Sequence, residues 1–388
     1  MTPTESIPVP RQSTQEPAGP EPRPLVAMLL DNHYGPDRRI AFEARLLRDA
    51  GMAVRIIAWD RRDASGDDPP PPPSAELRRV PLPAPARGGL ASIVAVLRWS
   101  ARVYRRRAEL FEGARLLVVN DVYLLPLGFL LARRLKLPFA YDAHEDFSVL
   151  EEGRYPALLR RIVAGLEGFL ARRARAVIVP GASRLARWSG VTEDVTVLPN
   201  VGAGDWPPDD SAPAPAYDLV HCGGIEPARG VDLLLDLAER RPDLRFAIAG
   251  SGREAAAIEQ RAARLPNVDF QGWVSNPDRL LASSVAIYYH YDPAQAYSRL
   301  ACPNTLYQAL RVRRPLIYAC GGEPELLNRQ FKIGVRANPT TSGLESALQK
   351  VAATESWQFE EAWASIARAE ALQSYPDAIM RAVGARRR

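Results

Sequence analysis

Three turns of this 388-residue chain bring together side chains that could do chemistry. The first is Gly223-Gly224-Ile225-Glu226-Pro227-Ala228-Arg229-Gly230, where an apolar run from Leu219 turns through glycines and a basic residue precedes a helical segment. Main-chain N–H groups at a helix start, together with one guanidinium, suit a diphosphate. The second is Pro303-Asn304-Thr305-Leu306-Tyr307-Gln308. Pro then Asn opens a helix whose free N–H groups would face the same anion. Between these two, Gly250-Ser251-Gly252 and Gln271-Gly272-Trp273-Val274 each close an apolar run. Glycine at such a position lets a ligand approach the backbone closely. The third is Tyr141-Asp142-Ala143-His144-Glu145-Asp146. A histidine at a strand end, in a cleft between domains, is suited to hydrogen-bond a reacting group or to carry a proton near neutral pH. Each feature also has a plainer reading: a solvated arginine at a helix start, a tryptophan that only packs, a histidine that satisfies a buried carboxylate.

Positioning these residues requires strands that end at a common edge. Leu25–Leu30 is a short apolar run consistent with a buried first strand. Ile40–Ala50 has helical spacing and stops at Gly51. Strands are expected at Ala53–Trp59, Leu116–Asn120, Phe139–Asp142, Ala176–Val179 and Val195–Leu198. Helices are expected at Leu90–Leu110, Leu124–Leu135 and Pro156–Arg173. A second alternation of strand and helix begins at Leu219 and runs to about Ala353. Such alternation argues for an α/β fold with parallel sheets covered on both faces. The expected organisation is a tail over residues 1–24, a Rossmann-like first domain over 25–200, a linker over 201–216 and a Rossmann-like second domain over 217–356. Asp63–Pro73, acidic and then poly-Pro, reads as a loop. In an open parallel sheet, ligands bind at the carboxyl ends of strands. Asp31, Arg38, Asn120 and Asp121 stand at such ends in the first domain and would line a cleft with Asp37.

Composition narrows the function. The length suits two domains, and 47% apolar residues fits a globular protein. Three cysteines without ligand spacing give no zinc site and no disulfide framework. A net charge of +5, from 50 basic against 45 acidic residues, does not mark a nucleic-acid binder. No run reaches the ~18 apolar residues of a membrane span. Met1–Pro24 lacks an apolar core, so it reads as a polar tail and not a signal peptide. The basic helix around Arg98–Arg107 is either a solvated face or a contact with an anionic membrane.

Taken in order, these motifs resemble the family 4, GT-B type glycosyltransferases from Leu25 to about Leu372. The resemblance implies two Rossmann-like domains facing a cleft, with terminal helices over about 357–388 crossing back to the first domain. It implies transfer of a sugar, with retention and without an obligatory metal, from a UDP- or GDP-sugar to a glycan, lipid-linked or small-molecule acceptor. No cofactor other than the nucleotide-sugar co-substrate is implied. The implied location is cytoplasmic, peripheral at the inner face of the cell membrane. By the same resemblance, Gly224, Arg229, Gly230, Gly250, Gly272, Val274, Pro303, Asn304, Thr305, Leu306 and Gln308 bind the donor. His144, Glu145 and Asp37 are the catalytic candidates, and Arg38 belongs to a string that touches the acceptor. The chain departs from the family at several points. Gly224 stands where a second arginine is common, and a pair of glutamates is replaced by Gln308 and, near it, Leu300. The family's Gly-Gly loop is reduced to Gly35-Pro36. These departures leave open a catalytically impaired scaffold of the same fold, and an epimerase of that fold is a second alternative. A nicotinamide dehydrogenase is disfavoured, because no GxGxxG follows Leu25 or Leu219.

Overall fold

The computed structural model describes residues 23–35, 37–62, 71–84, 89–146, 156–202 and 214–384. The tail over 1–22, most of the Asp63–Pro73 loop, Pro36 and most of the linker lie outside the described residues. A first sheet is built from β1 (Leu25–Leu30), β2 (Ala53–Asp60), β3 (Glu76–Pro81), β4 (Ala114–Asn120), β5 (Phe139–Asp142), β6 (Val177–Val179) and β7 (Val195–Val197). Its order is β3-β2-β1-β4-β5-β6-β7, and every paired neighbour is parallel. The sequences LVAMLL and ARLLVVN are buried almost throughout, because helices cover both faces.

On one face lie α2 (Gly89–Arg105), α4 (Leu125–Leu135) and α5 (Ala157–Ala171), which bury Trp99, Leu131 and Leu170 against the sheet. On the other lies α1 (Arg38–Asp49), started by the Asp37 side chain, which accepts from the Arg39 and Ile40 N–H groups. The expected helix over Leu90–Leu110 is two helices, α2 and the short α3 (Arg107–Leu110), with Arg106 between them. α6 (Leu185–Trp188) follows a short 3-10 turn at Ala182–Arg184.

The second sheet holds β8 (Tyr217–Gly224), β9 (Phe246–Ser251), β10 (Val268–Gly272), β11 (Ser284–His290), β12 (Leu316–Ala319) and β13 (Gly334–Arg336). Its order is β10-β9-β8-β11-β12-β13, again with parallel neighbours. Its helices are α7 (Val231–Arg240), α8 (Ala255–Ala262), α9 (Asp278–Ala282), α10 (Asn304–Arg311), α11 (Gly322–Gln330) and α12 (Thr341–Ala352). In each sheet the strand order reverses beside one central strand: between β1 and β4 in the first, between β8 and β11 in the second. That reversal opens a crevice at the carboxyl ends.

The chain then returns. α13 (Phe359–Ile366) packs on α10, and α14 (Ala369–Gly384) packs on α1, β4, β5 and β7 of the first domain. Tyr375 of α14 is fully buried, and its hydroxyl donates to Glu43 at 3.5 Å. The return, expected over about 357–388, is made by two helices. Among the described residues no helix is long and apolar enough to cross a membrane.

Candidate active site

Two adjoining cavities lie between the sheets. One, of about 380 Å³, is lined by His144 and Glu145 from the first domain and by Gly224, Arg229, Pro303 and Asn304 from the second. The other, of about 450 Å³, is lined by Arg38, Asn304, Gln308 and Arg311. Asp37, Arg39, Asn200 and Asn304 border both. The two strand-end crevices thus open on one cleft.

Arg229 is placed by the turn after β8. Its guanidinium donates to the Tyr289 hydroxyl at 2.8 Å and lies over the Tyr291 ring, 4.5 Å from its centre. Among the described residues it makes no ion pair, so a half-buried, uncompensated cation borders the cavity. A solvated helix-start arginine would not be folded onto two tyrosines. The next residue, Gly230, has φ of 59°, and a Cβ there would lie 2.7 Å from the His290 ring and 2.9 Å from the Tyr288 hydroxyl. Only glycine fits, and the tight turn this permits presents Arg229. Across the cavity, α10 begins without a side-chain cap, and Pro303, Asn304 and Thr305 line the wall. An uncapped helix start offers N–H groups and positive potential to an anion.

His144 is held by carboxylates. Its Nε2 lies 3.0 Å from Asp142, and its Nδ1 lies 3.8 Å from Asp121. Burial alone would depress its pKa, but the Asp142 and Asp121 charges outweigh this and push it up to about 10. It is therefore an imidazolium at neutral pH. Of the two expected roles, this favours hydrogen bonding by a positively charged ring over carrying a proton near neutrality. Asp142 resists its own burial because Arg39, at 2.9 Å, and His144 hold its carboxyl well below the usual range. Burial and the Asp142 charge push Glu43 well above the carboxylate range. Glu43, Asp142 and His144 are close enough to hold a metal ion, but the Arg39 guanidinium already stands 2.9 Å from both carboxylates. The donor set is thus already served by a cation.

A pH effect follows from His144. Its folded pKa, about 10, is above its ordinary 6.5, so the charge stabilises the fold fully below about 6.5. That contribution fades as pH rises towards about 10. The melting-temperature gap between wild type and His144→Asn should therefore be wider at mildly acidic than at strongly alkaline pH. A gap that widens with pH would contradict the assignment.

Glu145 is tied across the cleft. Its carboxylate accepts from Arg184 at 3.1 Å and from the Tyr297 hydroxyl. Arg184, which is buried, also donates to the carbonyls of His144 and of Leu300, the latter at 3.3 Å. One side chain thus fastens the His144–Glu145 loop to the second domain. On the same seam, Glu323 at the start of α11 accepts from the Ser183 N–H at 3.0 Å. His221, at the cavity floor, is buried and neutral. Burial, then the Arg229 charge, pushes its pKa down to about 4. Its ring nitrogens make no hydrogen bond of good geometry, although backbone groups of Gly224 and Tyr288 lie nearby.

Other expected residues sit differently. The oxygens of Asp37 are engaged by Arg39, Ile40 and Asn32, which makes it a helix cap at the cavity rim and not a free acid. Arg38 reaches Asp278 of the second domain at 3.4 Å, so it bridges the domains. Asp31 is buried 3.8 Å from Arg61, and Asn120 is buried with its amide on the Leu29 carbonyl at 3.1 Å. Neither lines the cavities. Leu306 is fully buried in the core, with its N–H on the Pro303 carbonyl at 3.1 Å, and lies outside the two cavity linings. Gly250 is glycine because a Cβ would stand 1.8 Å from the Gly223 carbonyl oxygen. Gly250, Gly272 and Val274 lie outside the cavity linings. Trp273 is 69% exposed, so it does not serve packing. Arg184 and His221 were not anticipated, Arg39 was expected only as part of the Asp37-Arg38-Arg39 string, and Tyr297 only as part of the loop over Tyr291–Ala301. The one signal for Arg184 was a cation shortly after an apolar run, at Gly181-Ala182-Ser183-Arg184.

Residues 34–201 match the model described as a glycosyl transferase 4-like domain, and residues 216–353 match glycosyl transferases group 1. No curated protein matches the sequence. Among solved structures, sucrose-phosphate synthase from Thermosynechococcus elongatus superposes with a TM-score of 0.64 at 15% identity, over 93% of this chain and 94% of that one. The Anabaena protein HepE, solved with UDP and glucose, gives 0.60 at 14%, over 93% and 99%. A lipopolysaccharide outer core galactosyltransferase gives 0.59 at 12%, over 92% and 99%. At such identities the likeness is one of fold.

Proposed function

We propose that this chain, which belongs to the GT-B glycosyltransferases, transfers a hexose from a UDP- or GDP-sugar to a sugar-containing or lipid-linked acceptor, with retention and without an obligatory metal. The observation that carries this reading is Arg229, a cation without a carboxylate partner among the described residues, facing the uncapped start of α10 across a cavity between the domains. As the bond between sugar and diphosphate breaks, negative charge develops on the leaving phosphate. We assign Arg229 and the first N–H groups of α10, which border the same cavity, to its stabilisation. We assign His144 the role of a positively charged donor and not of a base, because Asp142 and Asp121 push its pKa up. Its charge at the cavity wall favours the departing anion and gives a donor to the sugar hydroxyls.

Glu145 bears on the missing acids. Leu300 offers no carboxylate, but its carbonyl is bonded to Arg184, which presents Glu145 from the opposite domain. We assign Glu145 the contact with the donor sugar that the loop does not supply. This favours an active enzyme over an impaired scaffold. A UDP-sugar is favoured over a GDP-sugar because HepE was solved with UDP and glucose. A thermal-shift panel of UDP-, GDP-, ADP- and TDP-sugars, followed by NMR of the product anomer, tests donor class and retention. Stabilisation by a single base type, an unchanged anomeric configuration and activity in chelator are expected. An inverted product would remove the retaining assignment.

Gln308 lines the adjoining cavity, and its side chain makes no hydrogen bond among the described residues. We assign its amide oxygen to a ribose hydroxyl. Gln308→Ala should then weaken nucleotide binding by about 1 kcal/mol, the scale of one net hydrogen bond. Gln308→Glu should hold or improve it, since a charged acceptor bonds more strongly. Calorimetry that finds both variants equal to wild type would remove the assignment.

A further inference from the structure

Four residues stand where the two cavities of the cleft meet: Asp37, Arg39 and Asn200 from the first domain, and Asn304 from the second. On the transferase reading, one cavity takes the sugar end of the nucleotide sugar and the other its ribose, so the diphosphate between them lies at this junction. Such an anion needs hydrogen-bond donors. The Asp37 side chain offers none, and its oxygens already accept from the Arg39 and Ile40 N–H groups and from Asn32.

Arg39 has donors, but they are spent inside the first domain. Its Nη2 donates to both oxygens of Asp142, at 2.9 and 3.2 Å. Its Nη1 donates to the Leu198 carbonyl at 3.0 Å and to Asn200 Oδ1 at 2.5 Å, and its Nε lies 2.9 Å from Glu43. Only 10% of this side chain is exposed, so it is not free to turn to a ligand. What it does is orient Asn200. A guanidinium only donates, so the asparagine amide must face it with the oxygen and turn Nδ2 away. That Nδ2 group makes no hydrogen bond among the described residues. Asn200 itself follows Leu198 and Pro199 just beyond β7, at the carboxyl edge of the first sheet where the other cleft residues lie.

We propose that Asn200 is a further substrate-binding residue, whose Nδ2 donates a hydrogen bond to the phosphate that bears the sugar. The inference rests on the transferase reading and adds a first-domain contact to the diphosphate held by Arg229 and the start of α10. His144 borders one of the two cavities, whereas Asn200 borders both. Nucleotide affinity should therefore depend on Asn200 even though it does not depend on His144. The contact also gives the saturated Arg39 a purpose at the cleft: by taking Oδ1, it leaves the asparagine a donor and not an acceptor towards the anion.

Asn200→Asp separates this role from a structural one, because it keeps an oxygen for Arg39 and replaces the free N–H group with a second oxygen that repels phosphate. In calorimetry with UDP and GDP, the nucleotide that wild type binds should be held about tenfold or more weakly by Asn200→Asp, with a smaller loss in Asn200→Ala. An asparagine that merely braces Arg39 predicts the reverse order, since aspartate retains that contact and alanine loses it. Should Asn200→Asp fail to fold, the monophosphate and diphosphate of the same nucleoside are compared on Asn200→Ala. The gain in affinity from the second phosphate should then be smaller than in wild type by about threefold or more. Wild-type affinity in Asn200→Asp, the reverse order, or an unchanged gain in Asn200→Ala would overturn the assignment. So would variants that keep nucleotide affinity and lose only turnover, because Asn200 would then serve the acceptor. Each of these leaves the transferase reading standing. Wild-type protein that binds neither UDP nor GDP would overturn that reading and this inference with it.

Discussion

Replacing Arg229 with alanine is expected to lower kcat/KM by about 10²-fold or more, the scale of removing one charged stabiliser from a transition state. The expectation rests on the cation's isolation. Tyr289 and Tyr291 fix the guanidinium in place, yet neither cancels its charge. Affinity for the free nucleoside diphosphate should fall with the rate, because the product carries the charge that the transition state develops. Arg229→Lys should recover part of the loss, since a point charge returns without the planar hydrogen-bond fork. Unchanged kinetics together with unchanged diphosphate affinity would remove Arg229 from the site and leave it a surface arginine folded on tyrosines.

His144→Ala should lower kcat by about 10²-fold, while nucleotide affinity stays close to wild type. The split follows from placement: His144 belongs to the first domain, whereas Arg229, Asn304 and Gln308 belong to the second. The pH profile separates its two possible roles. With Asp142 and Asp121 holding the imidazolium up to about 10, kcat should not drop through the pH region near 6.5 where an ordinary histidine gains its proton. A limb in that region that disappears in His144→Ala would show a general base instead. A variant that unfolds, or that loses nucleotide binding and keeps its turnover, would make His144 a structural partner of Asp142.

Much of the scaffold was legible because parallel strands are buried on both faces and so read as apolar runs. LVAMLL and ARLLVVN announce themselves in this way. β3 does not, since its sequence ELRRVP lies at the sheet edge, half exposed and paired on one side alone. Glycine carried mixed information. Gly230 is glycine because the turn that presents Arg229 needs a positive φ, whereas Gly250 is glycine because β8 and β9 run too close for a Cβ. The strand-end rule found His144, Glu145, Arg229 and Asn304, which share one cavity. It could not find the latch of Arg184 on Tyr297 and Leu300, which lie 113 and 116 residues further along the chain and meet it only when the domains face each other. Nor could it find the charge state of His144. That depends first on Asp142, two residues earlier at 3.0 Å, and then on Asp121, which lies just beyond a separate strand at 3.8 Å.

The central claim is that the cleft is a nucleotide-sugar site. Isothermal calorimetry of the wild-type protein with UDP and with GDP tests it most directly, because binding is measured whether or not the acceptor is known. The account predicts a one-to-one complex with at least one of the two, with Kd well below millimolar, and weaker binding by Arg229→Ala. Wild-type protein that binds neither nucleotide more tightly than about 1 mM, a standard free energy of only about −4 kcal/mol, would contradict the transferase reading and leave the fold alone standing.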